Sequence, residues 1–146
     1  MDFLSALRIS ASGLSAERIR VNLAASNLAN AESTRGPNGK PYRRLDPVLE
    51  ATPFEGELGA ASGLGAPGGG PAGVRVARVA VDEGAGRKVF NPAHPDAGDD
   101  GYVTLPNVNP IHEVVNLISA QKAYDANATA VDTLKGMAAR ALDIAR

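Results

Sequence analysis

Apolar and small residues recur at both ends of this chain with one spacing. From Leu117 they step by three and four: Leu117, Ala120, Tyr124, Asn127, Val131, Leu134, Ala138 and Ala141, with Asn127 the one polar member. That alternation keeps a stripe on one side of a helix, as in the a/d seam of a coiled coil. Asn109 and Pro110 stand before it. Asn can N-cap, and proline suits the first helical position because its missing N–H is not needed there. No proline follows Pro110, so the pattern predicts one helix over 109–146, about 50 Å long at 1.5 Å per residue.

The first segment repeats the spacing at Leu4, Leu7, Ala11, Leu14, Arg18, Val21, Ala25 and Leu28, broken only by Arg18. It predicts a helix about 40 Å long, a match for the last one. A second flank carries Ile9, Ala16, Ile19 and Leu23. A helix apolar on two flanks needs more than one neighbour. A hairpin partner covers one flank and something else must cover the other. The pattern stops near Asn30, a residue type that tolerates the left-handed conformation ending many helices.

The middle is weaker. Thr34–Tyr42 is dense in turn formers, and Arg43–Pro53 reads as extended. Gly59–Gly73 is low-complexity glycine, alanine and proline, which predicts a flexible loop. Val74–Asp82 alternates as a strand, but its valines switch phase from Val74 and Val76 to Val79 and Val81. The slip predicts a β-bulge near Ala77-Arg78. Lys88–Phe90 and Tyr102–Leu105 read as short strands around a turn-rich Asn91–Gly101. The fold class that follows is α+β, mainly α. Its long N- and C-terminal helices pair as an antiparallel coiled-coil hairpin with a small β-rich, loop-rich middle. The divisions are 1–34, 35–108 with the loop at 59–73, and 109–146. The middle, about 75 residues and half loop, is too small for a robust core of its own. It must lean on the helices or on neighbouring subunits.

Composition removes several functions. A net charge of -1 gives no basic face for nucleic acid. With Cys 0, disulfides and thiolate metal sites are excluded. The start, Met1-Asp2-Phe3-Leu4-Ser5, lacks the basic n-region and apolar core of a Sec signal. No apolar run approaches the roughly 20 residues of a membrane span. Aromatics at 4% and Trp at 0 suit close-packed helices better than a ligand-enclosing pocket.

Candidate chemistry is thin. Gly65–Gly70 is not followed by Gly-Lys-Ser/Thr, and no helix opens there as a phosphate cradle requires. His94, Asp96, Asp99 and Asp100 lack EF-hand spacing and sit among turn residues, where Asp bonds to nearby backbone. His112 and Glu113 are adjacent and so point away from each other on a helix. No His-Glu-x-x-His and no nucleophile elbow occurs. The reading is a non-enzyme without catalytic, cofactor or metal residues. Arg18, Arg20, Arg43 and Arg44 make a mild basic feature that suits a solvated face or inter-subunit ion pairs. Asn127 either fixes register in the seam or sits at its edge.

At Ala25–Thr34 the chain resembles bacterial flagellar rod and hook proteins. These carry Asn-x-Ala-Asn-x-x-[Thr/Ser] after their first helix, and Asn27, Ala29 and Asn30 match. The run Gly36-Pro37-Asn38-Gly39-Lys40-Pro41-Tyr42-Arg43 is similar to proximal rod proteins in particular. So are Gly73–Val76, Lys88–Pro92, His94–Ala97, the run from Gly101 to Asn109 with Pro106 and Asn107, Glu113–Asn116 and Ala120–Asn127. The likeness spans the chain except Gly59–Pro71. Pro110 departs from it, since an apolar residue is usual there.

The resemblance implies a structural subunit of the flagellar basal-body rod, the drive shaft running from the inner-membrane ring through the periplasm. It implies export by the flagellar type III apparatus without a Sec signal, terminal helices forming the inner tube, and a middle facing outward. The partners implied are other rod proteins (FlgB, FlgF, FlgG), the FliE and MS-ring junction, and copies of itself, with no nucleic acid and no membrane insertion. The seam residues then form the assembly interface: Leu4, Leu7, Ala11, Leu14, Val21 and Leu28 with Leu117, Ala120, Tyr124, Asn127, Val131, Leu134, Ala138 and Ala141. In the free subunit these termini are expected to be wholly or largely disordered and to fold on assembly. A sister rod protein such as FlgB, or a non-flagellar coiled-coil scaffold, remains as an alternative.

Overall fold

The computed structural model describes residues 3–36, 38–53 and 72–144. Helix α1 spans Phe3–Ala29 and helix α2 spans Pro110–Ile144. Between them lie strands β1 (Leu45–Pro53), β2 (Ala72–Val81), β3 (Arg87–Phe90) and β4 (Tyr102–Leu105). β1 pairs with β2, and β3 pairs with β4, as two separate two-stranded sheets.

The start of α2 follows from Asn109 and Pro110. Asn109 Oδ1 accepts the backbone N–H of Ile111 at 3.0 Å and of His112 at 3.4 Å. Two of the orphan donors of a helix start are thereby satisfied. Pro110 takes the first helical position. The end of α1 is made differently from the expectation. Positive φ among the described residues belongs to Gly39 and Gly101 alone, so Asn30 is not left-handed. It closes the helix with its side chain, Nδ2 donating to the Ser26 carbonyl at 2.9 Å while Oδ1 accepts Ser33 Oγ at 3.2 Å.

The chain divides into two compact units, one of residues 1–19, 49–77 and 120–146, the other of 20–48 and 78–119. In the first, Ser12 Oγ donates to the Ile9 carbonyl at 2.7 Å and accepts the Val74 N–H at 3.1 Å, which fastens β2 to α1. Arg75 and Glu50 form an exposed ion pair across β1 and β2, 2.8 Å apart. Ser5, Ala16 and Ala120 are buried there. Gly13 is buried against the Asn127 side chain, and a Cβ at 13 would meet Asn127 at 3.0 Å. Asn127 is half-buried and donates to the Ala123 carbonyl of its own helix at 3.0 Å. In the second unit Ala24, Ala31, Val103, Asn27 and Glu113 are buried.

The buried line on α1 is Ser5, Gly13, Ala16, Ala24 and Asn27. The large seam residues Leu7, Leu14, Val21 and Leu28 are half-buried beside it, while Leu4, Ala11, Arg18 and Ala25 are exposed. On α2, Ala120 is buried, Leu117, Tyr124, Val131, Leu134 and Ala138 are half-buried, and Ala141 is exposed. The hydrophobic spacing weights large side chains. Close approach selects small ones, and the leucines then straddle the contact.

Two readings of β2 change. Ala72 and Gly73, taken as the end of the loop, open the strand; the rest of that loop reading, 59–71, lies outside the described residues. The phase slip is also absent from the burial. Val74, Val76 and Ala80 are half-buried while Val79 and Val81 are exposed, so one parity runs through the strand. Ala80, rather than its larger neighbours, faces inward.

β3 and β4 are antiparallel with Arg87 opposite Leu105 and Phe90 opposite Tyr102. The Phe90 and Tyr102 rings meet edge to face, centroids 5.3 Å apart. Gly101 adopts φ 74° under the Phe90 ring, which lies 2.8 Å from where a Cβ would stand. A non-glycine residue there costs about 1–2 kcal/mol in backbone strain before the ring is displaced. Gly101→Ala is therefore expected to lower amide-exchange protection in β3 and β4 by roughly tenfold or more, since 1.4 kcal/mol is a factor of ten. Unchanged protection would show that the hairpin does not depend on this turn.

Candidate functional site

The second unit is held by one buried polar side chain, Asn27, near the end of α1 and 1% exposed. Its Nδ2 donates to the Leu45 carbonyl at 2.8 Å and to Glu113 Oε2 at 3.1 Å. Its Oδ1 accepts the Leu45 N–H and the Tyr42 hydroxyl, each at 2.9 Å. An asparagine amide has two donors and two acceptor sites, and all four are used. Toward Leu45 it acts as a strand would, pairing with both backbone groups of one residue. Each such bond contributes about 0.5–1.5 kcal/mol net. Left unpaired at this depth, the same groups would be strongly destabilising.

Glu113, in the first turn of α2, is also 1% exposed. Oε2 takes the Asn27 amide, and Oε1 takes Arg44 Nε at 2.7 Å. The helix start favours this negative charge. Arg44 comes from the residues just before β1 and also meets Asp46 at 3.3 Å. Its side chain is 22% exposed against 2% for Glu113, so the cation reaches in from the surface to a carboxylate that is wholly covered. The hydrogen bond to Glu113 raises the Arg44 pKa above its ordinary value; partial burial opposes this and the Glu113 and Asp46 charges add to it. Stability from a raised basic group is complete below its unfolded pKa and is lost only as pH climbs through the folded one. For an arginine that window lies far above neutrality.

The backbone of Arg44 is tied as well. Its N–H donates to Asn107 Oδ1 at 3.1 Å, and its carbonyl accepts the Asp82 N–H at 2.8 Å. Asn107 Nδ2 reaches the Asp82 carbonyl at 3.5 Å. No buried side-chain nitrogen or oxygen among the described residues lacks a partner.

The motif residues named from the sequence thus have separate tasks. Asn27 and Asn107 belong to the cluster, Asn30 closes α1 and Asn109 opens α2. Ala29 is exposed and Pro106 is buried. Glu113, Arg44 and Tyr42 were not singled out for this role. Glu113 figures in the sequence as a neighbour of His112 and as the first residue of the rod-like Glu113–Asn116 stretch, although a lone carboxylate entering an apolar helix is also a usable signal. The acidic loop residues are otherwise engaged. Asp96 accepts Thr34 Oγ1 at 2.8 Å and pairs with Arg35 at 3.4 Å, and Asp100 accepts the Tyr102 N–H at 3.2 Å. Among the described residues no group of three or more His, Asp or Glu is placed to hold a metal ion.

Large apolar side chains are exposed along both helices, Leu4 and Phe3 on α1 and Ile111, Val115, Met137 and Leu142 on α2 among them. A satisfied polar cluster together with uncovered apolar helix surface is the build of an assembly subunit. The comparisons with known proteins agree. Residues 7–37 match the family described as flagella basal body rod protein, and residues 99–144 match the C-terminal family of flagellar basal body rod FlgEFG proteins. Asn27 lies in the first segment and Asn107 and Glu113 in the second.

Over its whole length the chain is 37% identical to the flagellar basal-body rod protein FlgC of Bacillus subtilis, covering 100% of both. It is 38% identical to that of Escherichia coli O6:H1, covering 99% of this chain and 98% of the relative. For Aquifex aeolicus the figures are 40%, 92% and 91%. The chain belongs to the FlgC family of flagellar basal-body rod proteins. It is a structural subunit of the rod, located in the flagellar basal body. This similarity favours FlgC over a sister rod protein such as FlgB and over a non-flagellar scaffold.

Removing one member of the buried ion pair leaves the other without its counterion, which typically costs about 3–5 kcal/mol, whereas replacing both by apolar residues is often neutral. Arg44→Met is expected to make basal bodies that dissociate at clearly lower temperature than wild type. Arg44→Met with Glu113→Met should recover much of the loss. Equal or larger damage in the double variant would mean that the two residues act independently.

Proposed function

We propose that this subunit builds the rod through its terminal helices, joining copies of itself and other rod proteins into a shaft that transmits torque. The observation that carries this reading is the exposed apolar surface of the helices: Leu4 is 63% exposed, Ile111 75%, Val115 58% and Leu142 71%. Aliphatic side chains left uncovered along a helix support association through it where they form a contiguous patch. Within one chain, α1 and α2 pair as an antiparallel coiled-coil hairpin. Two contacts support that pairing, Gly13 against Asn127 and Asn27 with Glu113.

In this reading, residues 1–34 and 109–146 form the inner tube and 35–108 face outward. The seam residues, from Leu4 to Leu28 and from Leu117 to Ala141, together with the exposed aliphatics form the assembly interface. The neighbours are FlgB, FlgF and FlgG, with FliE and the MS ring at the base. The subunit reaches its place through the flagellar type III apparatus, which a loosely folded chain suits. No helix of the described residues is long and apolar enough to cross a membrane. The role is mechanical and involves no catalysis. The Asn27 cluster ties the segment entering β1 to both helices, so load on the outer part reaches the tube through hydrogen bonds and an ion pair.

Leu14 and Leu134 are half-buried on the two helices. Leu14→Asp or Leu134→Asp puts an unpaired charge in a packed seam, at several kcal/mol. Each is expected to abolish incorporation into basal bodies while export persists; normal swimming would remove these residues from the interface. The free subunit, lacking cover for its helices, is expected to exchange amides rapidly across Leu117–Ala141. Strong protection there would contradict ordering on assembly.

A further inference from the structure

The face of α1 left exposed in the single chain carries small and polar side chains, Arg18, Asn22, Ala25 and Ala29 among them. Arg18 has no partner among the described residues. The exposed line that opens α2 is bulky: Val114 is 41% exposed and Ile118 49%. It continues through exposed Gln121 to exposed Asp125, whose carboxylate is bonded, among the described residues, by Gln121 of its own helix at 3.2 Å and by no cation. The two lines have the same stepping. From Ala29 the intervals down α1 are four, three and four; from Val114 the intervals up α2 are four, three and four.

We propose that these faces meet between successive copies of this chain, α2 of one against α1 of the next, antiparallel. The register sets Val114 against Ala29, Ile118 against Ala25, Gln121 against Asn22 and Asp125 against Arg18. Large side chains then enter the space left by small ones, two amides pair, and an unpartnered cation meets an anion. Each alternative one heptad away fails on charge or on packing. One sets Arg18 against Ile118. The other brings Asp132 to Arg18 but sets Asp125 and Gln121 on the two alanines and leaves Ile118 and Val114 uncovered. Copies along a helical array share one orientation, so α1 of one and α2 of the next are antiparallel whenever the chain's own helices are. The two faces differ, so the contact is head-to-tail and need not close into a ring. The inference rests on the rod-subunit reading and names the partner of its helices.

The chain has no cysteine, which makes the contact directly testable. Full-length subunit carrying both Ala25→Cys and Ile118→Cys is built into basal bodies, which are purified and oxidised. The register expects a ladder of disulfide-linked multimers, with neither single variant giving one. Incorporated double variant that stays uncross-linked would overturn the register and leave the rod-subunit role intact. In parallel, Arg18→Asp and Asp125→Arg should each lower incorporation by roughly tenfold, as like charges at an interface do, with the pair together restoring it. Both sites are exposed, so the amount of each variant exported should be unchanged. Failure of the exchanged pair to restore incorporation would point to a different rod protein as the occupant and overturn the proposal. Absence of the unmodified subunit from basal bodies would remove the rod-subunit reading itself, and the register with it.

Discussion

One fully satisfied amide organises the second unit. Asn27 brings the end of α1, the strand entry at Leu45 and the first turn of α2 to a single point, using every donor and acceptor it has. Glu113 then needs a cation, and Arg44 supplies it from the rim. A buried carboxylate is tolerable only when its charge is matched and its lone pairs are occupied. Given that constraint, the residues 42–46 have little freedom. Tyr42, Arg44 and Leu45 each make a bond that fails if the segment slides by one position. A core of alanines such as Ala24 and Ala31 has little shape to specify register by itself, and the polar cluster provides that specification.

Small residues and the polar cluster are two answers to the same problem. Helices lined with alanine and glycine approach closely but bury little apolar area per residue, so each contact contributes little. Gly13 against Asn127 illustrates the geometry. The larger aliphatics are then displaced to the flanks, where a single chain cannot cover them. In the assembly proposed above, the surface the subunit fails to bury alone is the surface it would share with its neighbours.

Much of this was legible in the residues themselves. The two helices, their approximate ends, the N-cap at Asn109 with Pro110, and three of the four strands follow from local rules that act within a few positions. The face of α1 was displaced because hydrophobic periodicity weighs leucine above alanine, whereas burial here rewards the smaller side chain. In β2 the valines suggested a phase change that burial does not follow, since Ala80 faces inward between Val79 and Val81. The Asn27 and Asn107 positions were visible as members of a motif, without their partners. Glu113 and Arg44 are 69 residues apart, and no local pattern announces a bond of that span.

The Asn27–Glu113 bond joins residues 86 positions apart. Closing so long a loop carries an entropic cost before any contact rewards it, and contacts of this kind form late. The latch therefore needs α2 to be in place: without that helix, Asn27 loses the carboxylate that takes its amide and Arg44 loses its anion.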